Sequence, residues 1–277
     1  MFGEIETLRF GYETELLHAI ARRFGPIPLL DRVRGRQLLD SRRRDLLGDA
    51  VRVTEALLPE VYGAYRSCLE RIGGGWVGDL FVCQNPVYNA SVFAQGETFD
   101  LLVHSSLINE FSSEELRFVF GHELGHVVFQ HSAFPVRELV EALGGREPAA
   151  TQLLLRWSRA AEVSADRVGM LCCGRLGAAI SALFRTASGL AGIDEDRVLR
   201  SLRDQYEALE AALAGPTPAS SAARSHPMIP TRFKAIELAA LDILAFGGKT
   251  GGFSGRGFQK VDRQIAGALQ RLDAQCG

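Results

Sequence analysis

The sequence predicts an α+β protein that is predominantly helical and contains one small, mainly antiparallel sheet. Apolar residues recur at steps of three and four over much of the chain, which is typical of amphipathic helices. Between residues 76 and 107 the pattern changes to short runs rich in Val and Phe, separated by Asn, Pro and Gly. This change follows a glycine triplet at residues 73–75 and predicts two or three strands.

The helices are predicted in order along the chain. Helical patterns dominate residues 10–72, with a break at the Gly-Pro-Ile-Pro of residues 25–28. Another helix is predicted to begin at Ser112, because Ser112 and Glu115 have the spacing of a capping box. Further helices are predicted near residues 149–173, 176–189, 194–213, 230–246 and 258–274. The stretches between the last three, residues 214–227 and the glycine-rich 247–257, are predicted loops.

Composition and charge exclude several classes of protein. The chain has 277 residues, of which 47% are apolar and 23% charged, and its formal net charge is −2. This balance gives no electrostatic reason to expect a nucleic-acid partner. The basic stretch at residues 32–45 is interleaved with acids and leucines, and it is interpreted as the solvated face of a helix rather than as an RNA- or membrane-binding patch.

The sequence is also expected to be cytoplasmic and soluble. The first 28 residues lack the features of a secretory signal, and the longest apolar runs are far shorter than the roughly 20 residues of a spanning helix. We therefore predict no integral membrane segment. The five cysteines contain no CxxC pair, which predicts reduced thiols and neither a disulfide framework nor a cysteine-based zinc site. The sequence does not predict an oligomeric state.

The stretch at residues 120–131, FGHELGHVVFQH, is the strongest functional signal. His122 and His126 are separated by about 400° of helix, so both rings leave the same face one turn apart and can share a zinc ion. Glu123 lies beside them, where it can polarise a bound water. The alternative is a pair of histidines at the edge of a helix with one solvated glutamate, since the motif is short enough to occur by chance.

The position of His131 argues against it as the third ligand. His131 follows His122 by about 900° of helix, so it is expected to point to the opposite face and to lie at the helix end. The residues between His126 and His131 continue the helical pattern without a glycine-permitted turn.

A better third ligand lies downstream, in the stretch WSRAAEVSADRVGM at residues 157–170. Glu162 and Asp166 are four residues apart on an otherwise apolar helix, where an unpaired carboxylate would be costly. Glu162 as third ligand leaves the fourth zinc position for water, and Asp166 is placed to accept the outer N–H of a ligating histidine. The alternative is that both acids form salt bridges with Arg159 or Arg167.

These motifs together resemble a known family. HELGH, then EVSAD at residues 162–166 and SHPMIPTR at residues 225–232, are similar to the catalytic core of the CAAX-prenyl-protease and HtpX-like zinc metallopeptidases, which are gluzincins. Asn89-Ala90 followed by LLVHSSLI also fits the strand segment before the catalytic helix of that family. The resemblance covers about residues 85–238 and implies a zincin-like core, in which the sheet lies beside the HExxH helix and the helix of the third ligand.

The resemblance implies roles for individual residues. Zinc would be bound by His122, His126 and Glu162. Glu123 would be general base and proton shuttle, and the strand at Asn89 and Ala90 would receive the substrate backbone by strand addition.

Two further residues follow from the last motif. His226 would hydrogen-bond the developing oxyanion, and Arg232 would support that loop. The sequence departs from the family pattern in three respects. Its first seventy-odd residues and its final helix have no match in that pattern. The membrane helices of many relatives have no counterpart, which argues against a lipid-embedded substrate. The usual Pro-Gly-Gly after the Asn-Ala segment is reduced to Gln95-Gly96.

We therefore predict a zinc-dependent metalloendopeptidase with one Zn²⁺ per chain and a peptide or protein substrate. Residues 76–246 would form the catalytic domain, between an N-terminal helical region at residues 1–75 and a C-terminal glycine-rich segment and helix at residues 247–277. The alternative function is a catalytically silent or latent zinc-stabilised interaction module. In the latent form, the glycine-rich segment would plug the site or the Cys276 thiolate would occupy the open zinc position.

Overall fold

A computed structural model describes residues 5–24, 32–133, 136–213, 228–247 and 258–274, and it confirms the predicted α+β class. Helices surround a single four-stranded sheet. The strands are β1 (Val51–Val53), β2 (Val77–Cys83), β3 (Ala90–Gln95) and β4 (Thr98–His104). The helices are α1 (Gly11–Phe24), α2 (Arg32–Asp49), α3 (Pro59–Ile72), α4 (Ser105–Glu110), α5 (Ser113–Val128), α6 (Val136–Leu143), α7 (Pro148–Cys173), α8 (Leu176–Ser188), α9 (Glu195–Leu213), α10 (Ile229–Gly247) and α11 (Phe258–Ala274).

The sheet is mixed but mainly antiparallel, as predicted. Its strand order is β1-β2-β4-β3. β1 pairs with β2 and β3 with β4 in antiparallel fashion, whereas β2 and β4 are parallel. β4 lies inside the sheet, and its residues Phe99, Leu101 and Val103 are fully buried. β3 is an edge strand that packs beside α5, so it borders the histidine motif.

The strand β1 corrects the sequence analysis, which assigned a helical pattern to this region. Residues 51–53 form a strand because Val51 and Val53 pair with Val82 and Leu80 of β2. The pairing partner lies about thirty residues downstream and leaves no local trace in the sequence. α6 was also missed. The break predicted at residues 25–28 lies outside the described residues.

The downstream helices are confirmed to within two residues at either end. α5 begins with the predicted capping box, in which the Ser112 side chain accepts from the Glu115 backbone and the Glu115 carboxylate accepts from the Ser112 backbone. No helix in the described part of the chain is both long and apolar enough to cross a membrane. The four described cysteines are free thiols, and Cys172 and Cys173 are packing residues inside α7.

Small residues allow α5 and α7 to pack in close contact. A Cβ added at Gly125 would lie 2.8 Å from the Cα of Ala165 and 3.2 Å from the Cβ of Val168. A Cβ at Gly121 would lie 2.6 Å from the Cβ of Cys172. Since real Cβ atoms almost never approach this closely, only glycine fits at both positions. The contact places the histidine face of α5 directly against the acidic face of α7.

The N- and C-terminal helices join α7 in a second apolar cluster. This cluster contains Leu16 and Ile20 of α1, Trp157 of α7, and Ile265 and Leu269 of α11, all buried. α7 thus contacts both α5 and the terminal helices. Consequently, α7 can link the site on α5 to residues at either end of the chain.

Candidate metal centre

The histidine motif occupies the last two turns of α5 and faces an open cavity of about 620 Å³. His122, Glu123 and His126 line this cavity, with the imidazole rings at a centroid distance of 4.9 Å. The Nε2 atoms of the two histidines are 3.3 Å apart. The helical spacing therefore brings both imidazoles together, as the sequence predicts.

The side chain of Glu162 comes from α7 and completes a group of three donors. Its carboxylate oxygens lie 3.6 Å from Nε2 of His122 and 3.7 Å from Nε2 of His126. The three ligand atoms all lie within 4.8 Å of one another. Tetrahedral zinc with Zn–N bonds of about 2.0–2.1 Å separates two nitrogen ligands by about 3.3 Å. Both the donor types and the spacing thus fit a zinc ion.

Asp166 lies one turn after Glu162 and contacts the outer side of His122. Its Oδ1 is 2.9 Å from Nδ1 of His122, which leaves Nε2 facing Glu162. Arg232 from α10 donates to both oxygens of Asp166, at 2.8 and 2.6 Å, and lies 3.6 Å from Glu162. Arg232 therefore contacts the site directly, whereas the segment that it was predicted to support, before α10, lies outside the described residues.

The acids of α7 are not paired with Arg167, so that part of the alternative interpretation is wrong. Arg167 is fully buried and donates to Asp262 of α11. Asp166 instead pairs with Arg232 and His122. Burial by itself would raise the pKa of Asp166, but Arg232 and His122 hold it below its ordinary value. Asp166 is thus an ionised acceptor for the Nδ1–H of His122.

The electrostatics of the two histidines differ. Burial lowers the pKa of His126 to about 3, against the opposing effect of Glu162. Burial also acts to lower the pKa of His122, but Asp166 and Glu162 outweigh it and raise the pKa above its ordinary value. His126 is therefore a neutral imidazole with a lone pair available, which is the form that binds metals. Because the pKa of His122 is raised, a metal ion must compete with a proton for a nitrogen of this imidazole.

Glu123 has the environment of a general base. Burial raises the pKa of its carboxyl group, and Glu162 adds to this effect. His122, Arg232 and a hydrogen bond from the backbone of Val92 act in the opposite direction. The bond from Val92 fixes Glu123 against the middle of β3. A carboxylate with a raised pKa can accept a proton near neutral pH more readily than an exposed one.

The position of His131 corrects the sequence analysis. α5 ends at Val128, and Gln130 adopts a positive φ of 57°, so the chain turns back instead of continuing the helix. His131 opens a short 3₁₀ turn, and its Nδ1 lies 2.8 Å from Nδ1 of His126. It lies behind His126 rather than in the group of three metal donors. The prediction that it is not a ligand agrees with this position, but the prediction that it points away from the site was wrong.

The residues of the predicted substrate edge line the cavity. Asn89 and Ala90 line it together with Tyr88, Ser91 and Val92, all at the start of β3 or just before it. The backbone carbonyl of Asn89 accepts from His104 of β4, which ties this segment to the sheet. His226, the predicted oxyanion donor, lies outside the described residues, as do Cys276 and residues 248–257.

The relationship to known proteins agrees with this geometry. The model of peptidase family M48 matches residues 78–140 and 138–240, which together contain the donor group and most of the cavity. The chain belongs to peptidase family M48. This confirms the family resemblance inferred from the motifs.

A curated relative of this M48 peptidase is the chloroplastic plastoglobule-localized metallopeptidase 48 of Arabidopsis thaliana. The two sequences are 29% identical over 223 residues, which is 73% of this chain and 64% of the relative. The chain therefore spans less than two thirds of the relative's length. No solved structure matches the chain significantly.

Proposed function

We propose that this M48 peptidase is a zinc-dependent metalloendopeptidase. The observation that carries the proposal is the group of His122, His126 and Glu162, whose donor atoms have the identity and spacing of a catalytic zinc site. When bound there, zinc supplies Lewis-acid polarisation of a water molecule and of the scissile carbonyl. The chain's own residues perform the remaining steps.

Glu123 is the proposed general base and proton shuttle. Its carboxylate lies beside His122 in the cavity wall, and it is held by the backbone of Val92. It accepts a proton from the attacking water and delivers it to the leaving amine. Asp166 keeps the proton on Nδ1 of His122, so that Nε2 stays free for the metal. Arg232 neutralises Asp166 and limits the negative charge beside Glu162.

The edge strand supports an endopeptidase rather than an exopeptidase. Val92, which contacts Glu123, lies in the third position of the six-residue strand β3. A substrate that adds to this edge as a further strand can therefore extend past Glu123 in both directions. Asn89 and Ala90 would contact its backbone at one end of the cavity, and the substrate would be an extended peptide or unfolded protein segment.

Metal analysis and peptide digestion of three proteins test the proposal. Wild type is expected to bind about one zinc per chain and to cleave internal bonds of peptides whose termini are blocked. Glu123→Gln should keep the zinc but lose hydrolysis, because an amide does not accept the proton. Glu162→Ala should lose most of the zinc. Glu114→Gln on the same helix is the control and should match wild type, because Glu114 pairs with Arg117 and does not line the cavity.

Two results would contradict the proposal. A wild-type protein that binds zinc but cleaves nothing in a diverse blocked-peptide library would favour the silent interaction module. Zinc retained by Glu162→Ala would show that the metal is held elsewhere. The effect of a chelator, reversed by added zinc, separates metal-dependent cleavage from that of a contaminating protease.

A further inference from the structure

A chain of polar side chains runs from His126 to the N-terminal helix. Nδ1 of His126 lies 2.8 Å from Nδ1 of His131, and Nε2 of His131 lies 3.2 Å from Oε1 of Glu13 on α1. Glu13 is 0% exposed and His131 is 7% exposed. The three side chains are thus in series, and the two behind His126 are buried, although Glu13 precedes His131 by 118 residues.

The geometry of this series allows one arrangement of protons when a metal is bound. A metal on Nε2 of His126 leaves the proton on Nδ1. The neighbouring Nδ1 of His131 must then accept that proton's hydrogen bond, so His131 carries its own proton on Nε2. That N–H points to Glu13, which accepts it as a carboxylate. Each donor in the series meets one acceptor.

We propose that Glu13 and His131 are positioning residues that hold His126 in the tautomer and orientation that bind the catalytic metal. This inference rests on the proposed metal site. It gives each ligating histidine its own acidic support: Asp166 acts directly on His122, whereas Glu13 acts on His126 through His131. The N-terminal helix α1, for which the sequence offered no role, then completes the catalytic centre.

Glu13 is itself held firmly in place. Nη1 of Arg9 donates to its Oε1 at 2.5 Å, and the hydroxyl of Ser164 donates to its other oxygen. Ser164 in turn accepts from the backbone of Phe10 at 2.9 Å. Burial would raise the pKa of Glu13, but His131, and after it Arg9 and Ser164, hold it below the ordinary value. Glu13 therefore stays ionised inside the protein, and Ser164 joins it to α7, only two residues after Glu162.

A merely structural role for this cluster predicts a different result from the positioning role. A buried polar cluster contributes to folding stability, and its loss lowers the free energy of unfolding without a specific effect on the metal. Residues that orient a metal ligand change metal affinity, commonly by about 10- to 100-fold. Zinc affinity, measured without substrate, distinguishes the two roles.

The test compares zinc dissociation constants, obtained by competition with a chromophoric chelator, for wild type and three variants. His131→Phe keeps a ring but removes both nitrogen atoms, and it should weaken zinc binding by about 10-fold or more. Glu13→Gln should weaken it by a similar factor. His131→Gln, which can accept from His126 and donate to Glu13, should stay within a few-fold of wild type. The double variant Glu13→Gln/His131→Phe should match His131→Phe, because the two residues act in series.

The matched control is Glu115→Gln. Glu115 lies on α5, is buried, and is bonded to Ser181 and Arg185 rather than to the metal donors. This variant should lose stability in urea unfolding but keep its zinc affinity. Two results would overturn the proposal. One is an equal loss of zinc affinity in the control and in the test variants. The other is wild-type zinc affinity in both Glu13→Gln and His131→Phe.

A second measurement observes the histidine tautomers directly. It uses only the wild-type protein, so it remains informative if a variant fails to fold. Long-range ¹H–¹⁵N NMR spectra of the zinc-bound wild type should show the proton of His126 on Nδ1 and that of His131 on Nε2. A proton on Nδ1 of His131 would overturn the proposal. If zinc binds and the variants lose affinity, but no peptide is hydrolysed, the peptidase function fails while the positioning role stands.

Discussion

At the scale of single residues, His226 is predicted to stabilise the oxyanion, and kinetic measurements test this role. It precedes Ile229, which lines the cavity, by three positions, and Arg232 of the same helix contacts Asp166. As an oxyanion donor, His226 would act mainly in the transition state. We expect His226→Ala to lower kcat by about 10²–10³ with little change in KM. Steady-state kinetics and zinc analysis of one preparation check this.

Two results for His226→Ala would contradict its role as an oxyanion donor. Full activity in His226→Ala would make the residue a bystander, and a loss of zinc would make it a ligand. Pro227→Ala is a useful companion, because it leaves the imidazole but frees the backbone of the residue before it. A smaller loss of kcat than in His226→Ala would agree with a role for Pro227 in fixing the imidazole.

The pairs of functional residues within each helix were predictable from sequence because they depend on helical periodicity. Two residues four positions apart share a helix face, which is true of His122 with His126 and of Glu162 with Asp166. The place of His131 was not predictable, since it depends on a single backbone torsion at Gln130 that ends α5. Its partner Glu13 was not predictable either, because a contact across 118 residues leaves no periodic signal.

At the scale of elements, the close approach of α5 and α7 determines whether the donors meet. Gly125→Ala should force the helices apart, because the new methyl group would lie 2.8 Å from the backbone of Ala165, between Glu162 and Asp166. We expect a loss of about 1–3 kcal/mol in the free energy of unfolding, as for an overpacked core, and a weaker zinc affinity. Urea unfolding of the metal-free protein and chelator competition measure the two effects.

Gly63→Ala in α3 is the matched control for this change. Gly63 is an exposed helical glycine, and an added Cβ meets nothing within 4 Å. The substitution should raise the free energy of unfolding by up to about 1 kcal/mol, through helix propensity alone. A Gly125→Ala variant as stable as Gly63→Ala would show that the two helices do not pack as closely as described.

Elements differ in how far the sequence determines them. The downstream helices carry long amphipathic patterns and end at glycines such as Gly174 and Gly189, which adopt the left-handed conformation. Their bounds were therefore predictable. The three-residue β1 was not, because its pairing with β2 outweighs the local helical pattern. Short elements that depend on a distant partner are poorly predicted from sequence for this reason.

At the scale of the whole molecule, α7 joins the metal centre to both ends of the chain. Glu162 lines the cavity and Asp166 contacts His122 behind it, while the next residue, Arg167, is buried in the core. Its guanidinium lies 5.4 Å from the ring centre of Phe10 and 4.6 Å from that of Phe258. The N- and C-terminal helices thus meet at one buried cation. The division of the chain into three parts, predicted from composition, stays a prediction.

The packing of α11 in the core also limits how a latent form of the enzyme can be tested. Removing residues 247–277 would delete α11, whose Phe258, Ile265 and Leu269 are buried in the core. Lost activity after that deletion would report unfolding rather than regulation. A more specific test replaces Cys276 by Ser and shortens the glycine-rich segment at residues 248–257 while α11 is kept. An increase in peptide hydrolysis would support a latent enzyme, and unchanged activity would exclude this form of it.

The buried cation, Arg167, is paired with a carboxylate of the C-terminal helix. Asp262 of α11 pairs with Arg167 and also accepts from the backbone N–H of Gly11, at the start of α1. Burial lowers the pKa of Arg167, and the Asp262 carboxylate opposes this by favouring the charged form. Asp262→Ala removes the carboxylate and leaves the charge in the core. We expect a loss of about 3–5 kcal/mol in the free energy of unfolding, measured in urea.

The control for this prediction is Gln264→Ala, an exposed position two residues later on the same helix. It should change the free energy of unfolding by less than about 0.5 kcal/mol. The double variant Asp262→Ala/Arg167→Met should recover much of the lost stability, because the methionine leaves no charge to be paired. If Asp262→Ala were as stable as the control, the pair of Asp262 and Arg167 would contribute nothing to holding the terminal helices in place. The zinc affinity of the folded Asp262→Ala protein should stay near wild type, since Arg167 lies on the face of α7 away from the donors.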